Sequence, residues 1–412
     1  MTVRAARRIA MGLFGRIKVG QLTILEGERQ TVFGSGAPQA TVDVQDPRAW
    51  LHVLRGSRGM GHSYKEGFWD TPDLTAVIRV AARNVEGIDE VRRRMTPVRE
   101  PFQRARAAFM RNTPTRSRKD IAAHYDLGNE LFELTLDPTL MYSCAVFEDR
   151  DTPLEQASIA KLELVCEKLD LGPGDHVLEI GTGWGGFAVH AATTRGCRVT
   201  TTTISKEQHD VAAERVRAAG VEHLVDLRLD DYRDLRGSYD KLVSLEMIEA
   251  VGWQDFGTFF GACSDLLAPN GTMLLQAITM ADRAYEVEKA SKSFIRTYVF
   301  PGGCLPSLEV VSQCIAKRTD LRTIHLEDLT PHYAETLRRW RANFEAATDK
   351  LEALGYDERF RRIWKMYLCY CEAGFAENRI GLVQTVFAKP LAGRDVLAAA
   401  PPAAAATLAA SG

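Results

Sequence analysis

The stretch LEIGTGWGGF, residues 178–187, constrains the fold more than any other part of the chain. It lies between an apolar run typical of a buried strand and a segment typical of a helix. Gly181, Gly183 and Gly186 fit the pattern G-x-G-x-x-G. Such glycines permit a tight turn and let a ligand approach the backbone closely. Plain turn glycines are the alternative, but several glycines at one strand–helix junction favour a nucleotide-binding loop.

The residues around this loop distinguish between two classes of nucleotide ligand. A dinucleotide fold has an acidic residue about 20 residues on, at the end of the second strand, for the ribose hydroxyls. Here that strand ends TTTTISKEQ, and no acid precedes Glu207. Trp184 is a bulky residue at the point where a pyrophosphate would need room. The stretch LRLDDYRDL, residues 227–235, supplies acidic residues and Tyr232 at the end of the third strand, in the loop that covers an adenine in methyltransferase folds. The sequence therefore favours S-adenosylmethionine over NAD.

Predicted strands alternate with predicted helices, which is typical of a doubly wound, mainly parallel sheet. One helix begins with a capping box at Thr152, and another covers 206–219. The predicted strands are 176–180, 198–204, 226–229, 241–247, 272–278 and 384–389. We expect an α/β, Rossmann-like S-adenosylmethionine methyltransferase fold with a smaller N-terminal α+β domain. That domain has short strands at 22–25 and 40–44 and a helix whose cap is Thr71.

The chain has 412 residues, which is too many for one ordinary core and predicts two domains with tails. We place the N-terminal domain at 1–100, a basic linker at 101–120 and the methyltransferase catalytic domain at 121–390. The alanine-rich tail at 391–412 is predicted to be disordered.

Charge is distributed unevenly along the chain. Residues 1–120 carry 22 Lys and Arg against 12 Asp and Glu, whereas the remainder carries 30 against 42. This asymmetry indicates that the N-terminal part meets an anionic surface, either nucleic acid or phospholipid. A solvated charged face is the alternative. The arginine-rich stretch lacks interleaved aromatic residues, so we expect no nucleic-acid partner.

Neither a membrane span nor a metal site is predicted. No apolar run approaches the ~20 residues of a transmembrane helix. The N-terminus resembles a basic amphipathic arm rather than a secretory signal, so we expect the chain to stay in the cytoplasm. The eight cysteines form no C-x-x-C pair, and no histidine pair would complete a zinc site. We therefore expect reduced thiols and no bound metal.

Eight stretches, in order from residue 124 to about 388, resemble the cyclopropane-fatty-acyl-phospholipid synthase family, which includes the mycolic acid cyclopropane synthases. They are HYDLGNELFELTLDPTLMYSCAVF, VLEIGTGWGGFAVHAA, TTISKEQ, EMIEAVG, QAITM, FIRTYVFPGGCLPS, PHYAETLRRWRANF and YLCYCEAGF. The stretch GMGHSYKEGFWDTPDL is similar to the extra N-terminal domain of the longer bacterial synthases. The resemblance therefore covers nearly the whole chain.

The resemblance implies two sets of site residues. The predicted contacts of S-adenosylmethionine are Tyr142, Ser143, Glu179, Gly181, Thr182, Gly183, Gly185, Thr203, Gln208 and Tyr232. The family is thought to use bound bicarbonate as a base. Its predicted holders here are Cys144, Glu249, the backbone of Ile278, and Tyr333. Because the electrophile is a sulfonium methyl group, we expect Cys144 to be a neutral wall of the anion pocket rather than a nucleophile.

Gln276 departs from the family, because several members have a histidine at this position. An amide can donate a hydrogen bond to an anion, but it cannot carry a proton at neutral pH. We expect methyl transfer to the double bond of an unsaturated phospholipid acyl chain, forming a cyclopropane ring. Gln276 keeps open a methylene- or methyl-branched product. Rivals are methylation of a small soluble metabolite and a lipid-carrying scaffold with an inactive cofactor site.

The resemblance also implies partners and a location. We expect the protein to bind the acyl chains of membrane phospholipids and to associate peripherally with the inner, anionic face of the cell membrane. The basic N-terminal domain would dock there and present the lipid. A second copy of the chain, forming a homodimer, is a further candidate partner, although the sequence does not determine the oligomeric state.

Overall fold

The N-terminal part of the protein is built around a small sheet. The computed structural model describes residues 1–84, 127–289 and 291–393. The first range contains α1 (Val3–Phe14), β1 (Gly20–Glu26), β2 (Arg29–Ser35), β3 (Gln39–Val44), α2 (Ala49–Val53), α3 (Gly56–Lys65), β4 (Trp69–Asp70) and α4 (Leu74–Arg83). The strand order is β2-β1-β3-β4, with β1 and β3 parallel and the outer pairs antiparallel.

The other described residues form a larger α/β unit. It contains α5 (Asn129–Thr135), α6 (Leu154–Lys168), β5 (His176–Ile180), α7 (Gly186–Arg195), β6 (Arg198–Thr202), α8 (Lys206–Ala218), β7 (Val225–Arg228), β8 (Tyr239–Leu245), α9 (Ile248–Val251), α10 (Phe256–Leu266), β9 (Leu267–Met280), α11 (Asp282–Glu288), α12 (Phe294–Tyr298), α13 (Leu308–Arg318), β10 (Arg322–Asp328), α14 (Thr330–Ala346), α15 (Thr348–Ala353), α16 (Glu358–Ala376) and β11 (Ile380–Ala388).

The large sheet confirms the predicted fold class. Its strand order is β10-β11-β9-β8-β5-β6-β7. The five strands from β9 to β7 are parallel, and β11 runs antiparallel to both of its neighbours, β9 and β10. Each of the six predicted strands of this domain has a counterpart, because their apolar runs are the buried centre of the sheet. The prediction missed the two-residue strand β4 and also β2 and β10, whose side chains are mostly exposed.

Two predicted helix starts are wrong in detail. Helix α4 is capped by Asp73, whose carboxylate accepts a hydrogen bond of 2.9 Å from the N–H of Ala76, and not by Thr71. The capping box at Thr152 does not form, because this hydroxyl bonds Asp149 and α6 begins at Leu154 without a side-chain cap. At α4 a nearby acid supplies the cap instead, whereas at α6 a nearby acid binds the hydroxyl that was expected to cap the helix.

The small sheet and the C-terminal helices share one hydrophobic core. Helix α16 packs against α3 and α4, and the core joins Leu22 and Trp50 of the N-terminal part to Trp364. At the rim, Arg79 and Arg83 each donate a hydrogen bond of 2.6 Å to Glu377. This packing places the apolar interior of the N-terminal part beside the larger unit. The predicted linker at 101–120, and the predicted tail beyond residue 393, lie outside the described residues.

Candidate active site

The glycine loop joins β5 to α7 and has the backbone geometry that its glycines predict. The φ angles of Gly181, Gly183 and Gly185 are 105°, 52° and 84°, all in the left-handed region. The N–H groups of Gly181 and Thr182 each donate a hydrogen bond of 3.1 Å to the carbonyl of Thr202, which anchors the loop to β6. The loop is therefore held at the carboxyl ends of the parallel strands, where ligands bind in open α/β sheets.

A cavity of about 1850 Å³ opens at this edge of the sheet. Its wall includes nearly all of the predicted cofactor contacts: Tyr142, Ser143, Glu179, Gly181, Thr182, Gly183, Thr203, Gln208 and Tyr232. The exception is Gly185, which caps the start of α7 behind the wall. Of the predicted anion-site residues, the wall includes Glu249, Ile278 and Tyr333. Cys144 and Gln276 lie behind it, fully buried.

Polar groups in the cofactor part of the wall are fixed by neighbours yet retain binding capacity. Glu179 accepts a hydrogen bond of 2.6 Å from Thr201, and burial raises the pKa of its carboxyl to about 8. Thr203 donates to the amide oxygen of Gln208 at 2.9 Å, so the amide nitrogen of Gln208 is the end available to a ligand. The buried hydroxyl of Tyr232 has no hydrogen-bond partner among the described residues. This set of donors and acceptors fits a nucleoside with a charged tail.

Lys161 is a buried cation that sequence reasoning missed. It lies on α6 with 0% relative exposure, and its Nζ donates a hydrogen bond of 2.9 Å to the hydroxyl of Ser143. Burial lowers the pKa of Lys161 to about 8, while the charges of Glu246 and other buried acids oppose this shift. Lys161 therefore orients a predicted cofactor contact and offsets negative charge in the site.

Glu246, which follows β8 directly, is the second residue that the prediction missed. Its Oε1 accepts hydrogen bonds from the backbone N–H of Cys144 at 2.9 Å and from Nε2 of Gln276 at 2.7 Å. Its Oε2 accepts a hydrogen bond from the hydroxyl of Tyr333. An acid at the carboxyl end of a parallel strand was the available signal. The resemblance instead directed attention to Glu249.

These contacts correct the predicted anion pocket. Two of the residues expected to hold bicarbonate, Cys144 and Tyr333, already donate hydrogen bonds to the carboxylate of Glu246, and so does Gln276. The residues present therefore do not fit a bound bicarbonate at these donors. The Cys144 thiol does not line the pocket either, because it donates to the carbonyl of Ala145 at 3.2 Å. Burial raises the pKa of this thiol well above its usual range, so it is neutral.

Glu249 forms the other half of a pair of buried carboxyl groups. Its Oε1 accepts a hydrogen bond of 2.6 Å from the N–H of Ile278. The resemblance implied that these two residues belong to the same anion site. Its Oε2 is buried and has no hydrogen-bond partner among the described residues. Burial, and next the negative charge of Glu246, raise the pKa of Glu249 to about 8. Glu249 is therefore protonated at neutral pH.

A chain of side chains fixes which end of Gln276 faces Glu246. The amide oxygen of Gln276 accepts a hydrogen bond of 2.8 Å from Nε2 of Gln384. The amide oxygen of Gln384 in turn accepts one of 2.6 Å from Nζ of Lys168, which also pairs with Glu327. Since the cation donates at one end, both amides must point their NH₂ groups toward Glu246. Gln276 is thereby held as a donor to an anion.

A Rossmann-like sheet, a left-handed glycine loop and a cavity with adenosine-compatible polar groups together define an S-adenosylmethionine-dependent methyltransferase. The sequence profile described as mycolic acid cyclopropane synthetase matches residues 112–385. The chain belongs to this cyclopropane synthase family of methyltransferases.

Similar proteins of known name agree with this assignment. The tuberculostearic acid methyltransferase UfaA1 of Mycobacterium tuberculosis is 38% identical over 86% of each chain. The cyclopropane-fatty-acyl-phospholipid synthase of Escherichia coli K12 is 36% identical over 86% of this chain and 89% of its own. The structure of mycolic acid cyclopropane synthase CmaA1 complexed with SAH and CTAB has a TM-score of 0.62 at 32% identity. It covers 66% of this chain and 98% of CmaA1.

Proposed function

We propose that the protein transfers the methyl group of S-adenosylmethionine to the double bond of an unsaturated acyl chain of a phospholipid. The observation that carries this proposal is the extent of the cavity. One cavity is lined both by the glycine loop and by the interior of the N-terminal sheet, including Leu22, Ile24 and Val42. Its volume of about 1850 Å³ exceeds the roughly 300–1,000 Å³ of an ordinary small-molecule site.

The far end of the cavity suits a hydrocarbon chain. Leu22, Ile24 and Val77 are buried apolar residues on its wall, joined there by the partly buried Val42 and Val44. A polar metabolite would lose hydrogen bonds to water in such a place without replacement. An acyl chain gains about 0.8 kcal/mol for each CH₂ group that it buries. This end of the cavity therefore argues against the small-metabolite alternative.

The mouth of the cavity suits an anionic lipid surface. Among its lining residues, Arg16, Lys18 and Arg55 are exposed. Leu13 and Val19 beside them are each 43% exposed. Basic residues near an anionic membrane contribute about 1 kcal/mol each, and exposed apolar side chains can insert among the lipids. No helix in the described part of the chain is long and apolar enough to span a membrane. Peripheral docking through this mouth accounts for these features.

The chemistry proposed for the site follows from its shape and its aromatic faces. The alkene attacks the sulfonium methyl group in line, and a carbocation forms on the acyl chain. Tyr142, Trp184, Phe300 and Tyr333 line the cavity, where aromatic faces can stabilise such a cation. Tyr298, which the sequence grouped with them, instead contacts His62 through its hydroxyl. A buried site also keeps water from capturing the cation.

Loss of a proton from the added methyl carbon then completes the reaction. Ring closure gives a cyclopropane fatty acid, the product in the name of the Escherichia coli relative. A second candidate is a methylene branch, formed when a hydride shift precedes loss of the proton. The observation that favours it is Gln276, which is bonded to Glu246 and Gln384 and cannot carry a proton. The name of UfaA1 likewise refers to a methyltransferase and does not mention a cyclopropane.

The test uses the full chain, S-adenosylmethionine labelled in its methyl group, and vesicles of dioleoyl phosphatidylglycerol. We expect label in the acyl chains, and proton NMR of the methyl esters then separates ring protons from exocyclic methylene protons. Vesicles with saturated chains are the matched control and should take up no label. Absence of acyl product from the unsaturated vesicles, or label only in a water-soluble product, would overturn the proposal.

A further inference from the structure

We infer that Glu246 is the proton acceptor of this reaction and takes the place of a bound bicarbonate. The inference rests on the proposed function, because it concerns the proton that leaves the methylated acyl chain. Glu246 lines the cavity together with the glycine loop, so its carboxylate can reach a substrate that lies there. It is partly buried and accepts hydrogen bonds from donors in three separate segments of the chain.

The hydrogen bonds of Glu246 leave one acceptor position for a proton. An ionised carboxylate offers about four lone-pair sites. Cys144 and Gln276 use both sites of Oε1, and Tyr333 uses one site of Oε2. The remaining site on Oε2 can accept the proton. Since all three partners donate, they stabilise the ionised form that a base requires.

The backbone gives independent support for a functional side chain at this position. Glu246 has a φ of 53°, in the left-handed region that normally favours glycine. Residues held in this region cluster at active sites, where the surrounding structure enforces the strain. A glycine would adopt this turn without strain, but it would leave Cys144, Gln276 and Tyr333 without an anion to bind. The chain therefore keeps a carboxylate here against its local conformational preference.

The neighbouring charges assign different roles to the two acids. Glu249 accepts backbone hydrogen bonds on one side only and has a bare Oε2, so it is the acid that keeps its proton. Glu246 has three donors and feels the positive charge of Lys161, so it is the acid that ionises. Burial still raises the pKa of Glu246 above its ordinary value, which makes its carboxylate a stronger base than an exposed one.

The proposed step balances without any further reactant. A C–H bond of the added methyl group breaks, and its electron pair forms either the third bond of the ring or the exocyclic double bond. The proton moves to Oε2 of Glu246, and it returns to water after the product leaves. S-Adenosylhomocysteine and one proton are the other products, so no oxidant or reductant is needed.

The activity test compares the wild type and three variants in buffer freed of carbon dioxide and in the same buffer with added bicarbonate. We expect the wild type to turn over equally in both. Glu246→Gln should lose about 10²–10⁴-fold in kcat, the usual contribution of a general base, with little change in KM for S-adenosylmethionine. Glu246→Gly should lose as much without bicarbonate and recover in part when it is added. The exposed Glu222→Gln is the matched control and should resemble the wild type.

A measurement that needs no turnover separates this inference from the proposed function. Bicarbonate is titrated by calorimetry into the full chain saturated with S-adenosylhomocysteine. We expect no saturable binding to the wild type and saturable binding to Glu246→Gly, whose three donors are free. Binding of bicarbonate to the wild type, or a wild-type rate that rises several-fold with bicarbonate, would overturn the inference. A wild type without acyl product but with the expected titrations would refute only the proposed function.

Discussion

Replacement of Glu249 by glutamine should change how the stability of the protein depends on pH. Glu249 accepts a hydrogen bond from the N–H of Ile278, and its second oxygen is buried without a partner among the described residues. Burial and the charge of Glu246 raise its pKa from 4.5 to about 8. Glutamine has the same shape and can accept the same hydrogen bond, but it does not titrate in this range.

The sign and size of the effect follow from linkage between proton binding and folding. Between pH 4.5 and 8 the folded protein holds a proton on Glu249 that the unfolded chain releases. The stability contributed by this proton is complete below pH 4.5 and is lost as the pH rises toward 8. At 1.36 kcal/mol for each pH unit, about 3 to 4 kcal/mol is lost between about pH 5 and 8. The glutamine variant lacks this loss.

The assay is equilibrium unfolding in urea at several values between about pH 5 and 8, for the wild type and Glu249→Gln. The unpaired amide NH₂ of the variant costs about 1–3 kcal/mol at every pH, so the diagnostic quantity is the slope of the difference. We expect the free energy of unfolding of the variant, relative to that of the wild type, to rise by about 3 kcal/mol from the low to the high end of this pH range. Parallel curves would show that Glu249 is ionised, or not enclosed, and would refute the reasoning.

Three further predictions concern the cavity and the packing around it. Val42→Trp should narrow the far end of the cavity and lower turnover of oleoyl lipid by about tenfold. Binding of S-adenosylmethionine, measured by calorimetry, should not change. An equal loss of turnover and of S-adenosylmethionine binding would contradict a role of Val42 in chain binding. Gly61→Ala should lower stability by about 1–3 kcal/mol in thermal melts, because its Cβ would overlap the buried ring of Phe294; an unchanged melt would show that the helices can separate. The double variant Arg16→Glu, Lys18→Glu should bind anionic vesicles at least tenfold more weakly than the wild type in sedimentation assays, with unchanged binding to neutral vesicles. Equal affinity of the variant and the wild type for anionic vesicles would contradict docking through the cavity mouth.

The sequence predicted the catalytic fold well because its determinants are local. Buried parallel strands are nearly continuous apolar runs, and the glycines of the loop report directly on left-handed backbone. The loop geometry at Gly181, Gly183 and Gly185 follows from these signals. Edge strand β10 was missed because exposed strands carry no such run. Its pairing with β11 is decided by contacts between distant segments, which a local pattern does not contain.

The polar centre of the site was predicted only in part, for a related reason. Cys144 and Tyr333 were expected at one anion site, and in the structure both donate hydrogen bonds to one carboxylate, together with Gln276. That anion belongs to the chain itself. Glu246 is 102 residues from Cys144 and 87 from Tyr333 in sequence, so no spacing rule connects them. The resemblance supplied the donors but could not show that one side chain of this protein already satisfies them.

The unequal pair of acids is what a cationic reaction requires. S-Adenosylmethionine brings one positive charge, and the reaction moves that charge onto the acyl chain without creating another. One ionised carboxylate about 4 Å away stabilises such a charge by about 4 kcal/mol at an effective dielectric constant near 20. A second ionised acid would add attraction but also repel Glu246 in the absence of the cofactor. With Glu249 neutral, the proposed base Glu246 has no second negative charge from this acid beside it, and Gln276 donates a hydrogen bond to that base without competing for the proton.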